Sequence, residues 1–260
     1  MSLTRIYAIL IRHYFMTLHH MERFFDVFIF PVMALILWGF ISKYVQNVQS
    51  LTLASLLLGG LILWVIYERV QTDVGISFMY DVWERNVVSF LSTPLKTSEY
   101  IMGMVIISLI KVSLSFLVMW IISALFYNFW ITDVGLYLAL FWMNLILMAV
   151  SFGIFNISLV LRFGVGVGPL TWILPFFLQP FSAVFYPVTV LPSFFQKIAY
   201  FIPLSHVFEG LRYSLKTGKF DVNSFWLAFI LNMIFFIICI SFFTWTFQSV
   251  KKSGKLVKLN

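Results

Sequence analysis

The run YIMGMVIISLIKVSLSFLVMWIISALFY, residues Tyr100–Tyr127, contains one charged residue, Lys111. A transmembrane helix needs about 20 predominantly apolar residues, because the hydrocarbon core of a bilayer is roughly 30 Å thick. This run therefore predicts a membrane-spanning helix. The whole chain agrees with it, since 62% of its 260 residues are hydrophobic, 10% are charged and the mean hydropathy is +0.98. A soluble domain of this composition would lack the polar side chains to cover its surface, so we predict an all-α integral membrane protein.

Five other apolar runs extend the same pattern along the chain, which we treat as one domain over residues 1–260. The six predicted transmembrane helices are Asp26–Val45, Leu51–Tyr67, Tyr100–Tyr127, Val134–Leu161, Leu170–Val190 and Phe225–Phe247. A further apolar segment, Leu191–Leu215, is interrupted by Pro192 and Pro203. This interruption favours a pair of re-entrant half-helices, which membranes tolerate where protein covers the backbone.

The distribution of basic residues predicts the orientation. Arginines at positions 5, 12 and 23 precede the first span, and the tail Lys251–Lys258, KKSGKLVK, carries four lysines. An even number of spans places both termini on one side, and the positive-inside rule makes that side the cytoplasm. Some basic residues oppose this assignment, because they fall outside in the same topology: Lys197, Arg212, Lys216 and Lys219.

Residues 1–23 are too polar to span a membrane but have a helical pattern. At about 100° per residue, one face of this helix is basic and the opposite face is apolar. The basic face holds Arg5, Arg12, His19 and Arg23; the apolar face holds Leu3, Tyr7, Leu10, Tyr14, Leu18 and Met21. We predict an interfacial helix, with its apolar side in the membrane and its basic side toward headgroups or a cytoplasmic partner. The alternative is a simple lipid anchor without a coupling role.

The motifs of common enzyme chemistry are missing from the sequence. The P-loop pattern G-x-x-x-x-G-K-[ST] does not occur, so the chain is not expected to hydrolyse ATP alone in that way. His13 and His20 are seven residues apart, so one helical face could hold both. No cysteine or carboxylate nearby in the sequence completes a convincing set of metal ligands with them. The run Gly164–Pro169, GVGVGP, favours a hinge or a tight turn. We expect no catalytic residue, metal or cofactor in this chain, and no nucleic-acid partner.

Two clusters in the C-terminal half are candidates for a transport pathway. In the fifth predicted span, four aromatic side chains and one glutamine either line a route for an apolar substrate or serve only in packing. These residues are Phe177, Gln179, Phe181, Phe185 and Tyr186. In HVFEGLR, His206–Arg212, Glu209 and Arg212 lie one helical turn apart. They form either a gate with His206 or a salt bridge that fixes the half-helix. Lys111, inside a span, is either functional or structurally paired.

Two segments resemble the membrane subunit of a type-2 ATP-binding-cassette exporter. Leu91–Val105, LSTPLKTSEYIMGMV, is similar to that family's cytoplasmic turn between spans 2 and 3. Phe181–Arg212, FSAVFYPVTVLPSFFQKIAYFIPLSHVFEGLR, is similar to the family's signature between spans 5 and 6. The order and separation of the two motifs match the family, and the resemblance covers nearly the whole chain.

The resemblance implies a homodimer or pseudo-dimer of six-span subunits above two separate ATPase subunits, which bind ATP and Mg. Residues Asp81–Pro94 then correspond to a coupling helix that enters a groove on the ATPase. Its contact residues would be Asp81, Glu84, Arg85, Asn86, Val88, Phe90 and Leu91. Arg5 and Arg12 of the first helix would form a second contact with the same partner.

The resemblance also bears on the cargo. Members of this family export drugs, lipo-oligosaccharide signals or lipid-linked polysaccharides. Where the polysaccharide permeases have an Asn-Pro, this chain has IPLSH, Ile202–His206, which favours the drug and nodulation-signal branch. The expected function is export of an amphipathic or lipid-like substrate across the bacterial cytoplasmic membrane. Alternatives are a permease for lipid-linked polysaccharide of the O-antigen type, a membrane-embedded lipid-modifying enzyme, and a channel or scaffold.

Overall fold

The computed structural model describes residues 2–19, 21–48, 51–84, 86, 90, 93–134 and 137–253. Across these ranges the regular structure is helical and no strand occurs. The helices are α1 Leu3–His19, α2 Phe30–Val48, α3 Leu51–Trp83, α4 Thr97–Tyr127, α5 Tyr137–Phe163, α6 Leu170–Leu178, α7 Ser193–Tyr200, α8 Pro203–Thr217 and α9 Val222–Lys252. A single turn, Met21–Phe24, and a π-helix, Phe25–Ile29, join α1 to α2.

The described helices include four that are long and apolar enough to cross a membrane, namely α3 from Ala54, α4, α5 and α9. Two shorter apolar helices cover Phe30–Val45 and Val165–Leu178. The all-helical membrane class that we predicted from composition is therefore confirmed. The count of six spans stays a prediction, because Val165–Leu178 is shorter than the roughly 17–25 residues that a crossing needs.

The second predicted span, Leu51–Tyr67 with an extension into Glu68–Gln71 left open, lies within α3, which continues without a break to Trp83. The apolar part of α3 is 78% buried inside the protein, so this helix is the centre of the bundle. It packs against α2, α4, α5 and α8. The polar residues beyond Tyr67 continue the helix because distant residues bind them. Gln71, for example, donates a hydrogen bond to the backbone carbonyl of Thr171, at 3.2 Å.

The fifth predicted span, Leu170–Val190, is wrong in its second half. The helix α6 ends at Leu178, and a turn follows in which Ala183 adopts φ +53°. Pro180 has no backbone N–H to continue α6, and the left-handed region that Ala183 occupies is rare for a residue with a Cβ. The turn is nonetheless buried: Ser182, Ala183 and Val184 are each at most 1% exposed. Gly60 of α3 permits this burial, since a Cβ at that position would lie 2.6 Å from the carbonyl oxygen of Val184.

The predicted half-helix segment, Leu191–Leu215, contains two short helices, α7 and α8, that meet at Ile202 and Pro203. Pro203 occupies the first turn of α8, where its missing N–H costs nothing. The predicted turn in GVGVGP also occurs, because Gly164 has φ +79° and a 3-10 turn, Val165–Val167, follows it. Whether α7 and α8 re-enter a membrane stays a prediction.

The helix α9 packs along α5, and a buried amide pair joins the two. The Nδ2 of Asn232 donates to the side-chain oxygen of Asn144 at 2.9 Å and to its backbone carbonyl at 3.0 Å. Side chains of this kind hydrogen-bond transmembrane helices to one another in an apolar setting, with about 0.6 kcal/mol measured as an average. The pair fixes the rotation of α9 against α5.

Candidate functional site

The cytoplasmic end predicted from the sequence holds a buried carboxylate, Asp81, in the last turn of α3. Asp81 is 0% exposed. Arg12 of α1 donates to its Oδ1 at 2.5 Å, and the hydroxyl of Tyr100 in α4 donates to its Oδ2. A carboxylate in this position is costly unless it is paired and hydrogen-bonded. The pairing therefore holds α1, α3 and α4 together at one point.

A second contact ties the start of α1 to the start of α4. Glu99 is 1% exposed and lies at the third position of α4. Its carboxylate accepts hydrogen bonds from the backbone N–H of Ser2 at 2.7 Å and of Lys96 at 3.1 Å, and from Arg5 at 3.3 Å. Arg5 also donates to the carbonyl oxygen of Pro94 at 2.6 Å. We call the Arg12–Asp81–Tyr100 and Arg5–Glu99 contacts together the clamp.

Apolar packing runs between the two ends of the clamp. Ile6 and Ile9 of α1 are buried, and Ile9 lies directly over Gly103 of α4. A Cβ at Gly103 would approach Ile9 to 2.7 Å, so only glycine allows this contact without a shift. The opposite, predicted apolar face of α1 is exposed on the protein surface: Leu3 is 83% exposed and Tyr7 63%.

His13 occupies the same buried face of α1 and is 0% exposed. In the part of the chain that the structure describes, neither of its ring nitrogens has a hydrogen-bond partner. Burial lowers the pKa of His13 to about 4; the charge of Asp81 opposes this shift, and that of Lys111 adds to it. His13 is therefore neutral at pH 7 and packs as an uncharged ring on the buried face of α1.

Three of the predicted ATPase-contact residues take part in the clamp. Arg5 binds Glu99 of α4 and Arg12 binds Asp81 of α3, while contact of these residues with a partner protein stays a prediction. The reason for the two pairings is electrostatic, because Asp81 and Glu99 are buried carboxylates that need a cation or donors nearby. The side chains of Arg5 and Arg12 keep 38% and 26% of their surface exposed.

The segment between α3 and α4 is described in part. Glu84 is exposed and is bound by Arg12 at 3.4 Å and by the amide of Asn86 at 2.7 Å. Phe90 is half-buried, with the Arg12 guanidinium 4.9 Å from its ring centre and the Tyr100 ring at 5.3 Å. Phe90 thus packs on the clamp. The predicted contacts at Arg85, Val88 and Leu91 lie outside the described residues.

The second candidate cluster, in the middle of α8, binds the buried turn after α6. The expected ion pair between Glu209 and Arg212 is present at 3.3 Å. Arg212 also donates to the carbonyl oxygens of Ala183 and, at 3.4 Å, Val184, while Glu209 accepts from the N–H of Val188 at 2.7 Å. The pair therefore satisfies backbone groups of a non-helical segment, as burial requires.

The predicted pathway residues next to this turn are dispersed around it. Phe177 is 64% exposed on the outer surface, and Phe181 lies 5.7 Å from its ring. Phe185 stacks at 4.0 Å on Trp38 of α2. The remaining members are half-buried: Gln179 ends α6, Tyr186 donates to the carbonyl of Pro180 at 2.6 Å, and a ring nitrogen of His206 lies 2.8 Å from the carbonyl of Tyr200.

Sequence reasoning missed three residues of the site, Asp73, Glu99 and Tyr100. Lys111 of α4 binds Asp73 of α3 at 2.8 Å, which makes the structural pairing we considered for Lys111 an observed contact. The signal for it was available, because isolated opposite charges in adjacent apolar helices tend to pair. No sequence pattern marked Glu99, because a capping box needs an acceptor side chain three residues earlier and Lys96 stands there.

The described helices are thus joined by the clamp at one end of the bundle and by a buried turn at the other. Comparisons with known proteins show the family to which the sequence belongs. Residues 4–216 match the family described as ABC-2 type transporter. The chain belongs to this family. It is thus the membrane subunit of an ABC-2 transporter, and its recognition from the two sequence motifs is confirmed.

Relatives with curated names agree with this membership. The chain is 26% identical over 220 residues to the inner membrane transport permease YadH of Escherichia coli (strain K12), and the match covers 79% of this chain and 80% of that protein. The protein of the same name from Shigella flexneri matches to the same extent. This ABC-2 subunit is accordingly a transporter component.

Proposed function

We propose that this ABC-2 subunit is the permease of an exporter in the bacterial cytoplasmic membrane, driven by a separate ATPase. Two copies of the chain would form a homodimer, and two ATPase subunits would bind it from the cytoplasm. ATP and Mg would be held by those partners, because the sequence of this chain contains no P-loop. The role of the permease is to convert closure of the ATPases into movement of its helices.

The observation that carries this proposal is the clamp. The segment between α3 and α4 is the predicted docking site, and both helices that flank it are bound to α1 through Arg12 and Arg5. A force on that segment acts on three helices at once, because paired buried charges and packed glycine contacts resist separation. The clamp suits a rigid lever and would have little purpose in a lipid anchor.

The length of α3 supports the same mechanism. This helix has 33 residues, so it extends for about 50 Å at 1.5 Å per residue. Its inner part packs against α2, α5 and α8, and its last turn carries Asp81. Movement at the clamp would therefore reach the opposite end of the bundle, where Gly60 contacts the buried turn at Val184.

Six crossings and cytoplasmic termini complete the proposed topology. The four long helices supply four crossings, α2 with 19 residues supplies one of about 28 Å, and Val165–Leu178 supplies the last. That last helix reaches roughly 21 Å, and the buried turn after it is covered by α3 and α8. Placement in the inner membrane is supported by the name of the relative YadH.

The proposed cargo is an amphipathic or lipid-like molecule, such as a drug or a lipo-oligosaccharide, moved outward. The support is the sequence Ile202–His206, which lacks the Asn-Pro of polysaccharide permeases. Stimulated ATP hydrolysis tests this choice. The permease is reconstituted in liposomes with the ATPase that copurifies with it, and amphipathic drugs are compared with lipid-linked glycans. Stimulation by the glycans alone would contradict the proposed branch.

A charge reversal tests the docking site itself. Glu84 is exposed at the end of α3, so Glu84→Lys should weaken copurification of the ATPase and lower stimulated hydrolysis, while the permease keeps its elution volume in size-exclusion chromatography. Lys219→Glu, an equally exposed change just before α9 begins, is the matched control and should leave both readouts unchanged. Equal coupling in the two variants would count against docking at this segment.

A further inference from the structure

A groove of about 450 Å³ lies between α4, α5 and α9 on the surface of the bundle. Its volume falls in the range of roughly 300–1,000 Å³ that ligand pockets occupy. Val105, Val150, Ile154 and Phe236 form its inner wall, and Met102, which is 43% exposed, lies at its open side. In a membrane-embedded chain this open side faces the lipid.

The polarity of the groove changes along its length. Every polar lining residue lies toward one end, Thr97 and Ser98 in the first turn of α4 and Thr244 and Gln248 near the end of α9. The lining residues further in are apolar. From Gln248 to Phe236 the helix rises about 18 Å, close to the half-thickness of a hydrocarbon core of roughly 30 Å. A polar end at the membrane surface and an apolar channel of one leaflet's depth match the shape of a single lipid chain.

Positive charge lies at the polar end of the groove. Lys96 lines a smaller pocket of about 40 Å³ that adjoins the groove and shares Thr97 and Phe247 with it. Lys251 is exposed one helical turn after Phe247, on the same face of α9. The carboxylate next to this end, Glu99, is buried and bound by Arg5. The mouth of the groove is therefore cationic.

We propose that this groove binds one acyl chain of an anionic phospholipid, with the lipid phosphate at the end where Lys96 and Lys251 lie. This lipid is distinct from the transported cargo, and its binding requires only that the chain lies in a membrane. The adjoining pocket is also lined by Phe90 and Tyr100, so the phosphate end of the bound lipid lies beside the clamp. Occupancy should thus hold the docking segment in place.

Photochemical labelling tests the site in the intact protein. The permease is reconstituted in phosphatidylcholine vesicles with a trace of phosphatidylglycerol that carries a diazirine in its acyl chain, or with the phosphatidylcholine analogue of the same chain. Labelled peptides are mapped by mass spectrometry. We expect the anionic analogue to label peptides of α4 and α9 at the groove at least about tenfold more strongly, since each nearby lysine contributes a factor of about five.

Two pairs of variants distinguish the groove from ordinary lipid contact. Ile240→Trp fills the groove and should abolish the labelling, whereas Ile238→Trp, on the exposed side of the same helix, should not. Lys96→Gln should lower labelling by the anionic analogue about fivefold, whereas Lys219→Gln should not. Equal labelling by the two headgroups, or equal loss in both members of either pair, would overturn the proposal. If Ile240→Trp fails to elute as the wild type does, the surface variant Lys96→Gln decides the outcome.

Discussion

Replacing Arg12 by glutamine should release α1 from the rest of the bundle. The change leaves Asp81 buried with the Tyr100 hydroxyl as its remaining close donor. Breaking a buried ion pair costs about 3–5 kcal/mol, and the partial exposure of the Arg12 side chain, 26%, moves the expectation to the lower end, about 3 kcal/mol. This corresponds to a factor of about 150 in the equilibrium between docked and released α1.

The release can be measured through Ile9, which is buried over Gly103. In a protein with Cys239→Ser and Ile9→Cys, a water-soluble maleimide should react with the new cysteine only when α1 is released. Arg12→Gln should raise the labelling rate about 100-fold or more. Adding Asp81→Asn removes the buried charge and should restore most of the protection. If the labelling rate of Arg12→Gln with Asp81→Asn equals the rate expected from adding the free-energy effects of the two single variants, the ion-pair reasoning is refuted.

Three other changes test separate parts of the structure. Folding lowers the pKa of His13 to about 4, so the unfolded chain takes up this proton first as the pH falls. The free energy of unfolding should therefore decrease between about pH 6.5 and about pH 4, by at most about 3 kcal/mol. In thermal melting, His13→Leu should flatten this pH dependence. Gly60→Ala should destabilise the protein by about 1–3 kcal/mol, since its Cβ meets a carbonyl at 2.6 Å, while Gly59→Ala, with 3.4 Å to its nearest atom, should melt as the wild type does. Lys111→Met should cost about 3 kcal/mol by stranding Asp73, and Asp73→Leu added to it should recover most of that loss; no recovery would mean that the pair is unimportant.

The membrane class and the face of α1 were predictable from the sequence, since both depend on local pattern. The hydrophobic runs gave the apolar helices, and a 3.6-residue period placed Arg5 and Arg12 on one side of α1. The partners of these arginines were not predictable in the same way. Asp81 is 69 residues from Arg12 along the chain and Glu99 is 94 residues from Arg5, and no local period connects them.

The errors in helix length have two origins. The helix α3 extends past Tyr67 because Gln71 binds Thr171 of α6 and Asp73 binds Lys111 of α4, and these contacts make the polar side chains tolerable in the bundle. The helix α6 ends early because Pro180 has no backbone N–H to continue it. A tertiary contact thus overrides the local hydrophobic pattern in α3, whereas a local proline does so in α6.

The central claim is that α1 and the start of α4 move together as one lever when the partner ATPase binds nucleotide. Spin labels at Tyr7 and Met102, both exposed, test this claim. The distances are measured by pulsed electron–electron double resonance on the permease with its copurified ATPase. The distance between the two labels within one chain should stay the same with and without trapped ATP, while the distance between the Tyr7 labels of the two copies changes. A changed distance within the chain, with none between the copies, would contradict the account.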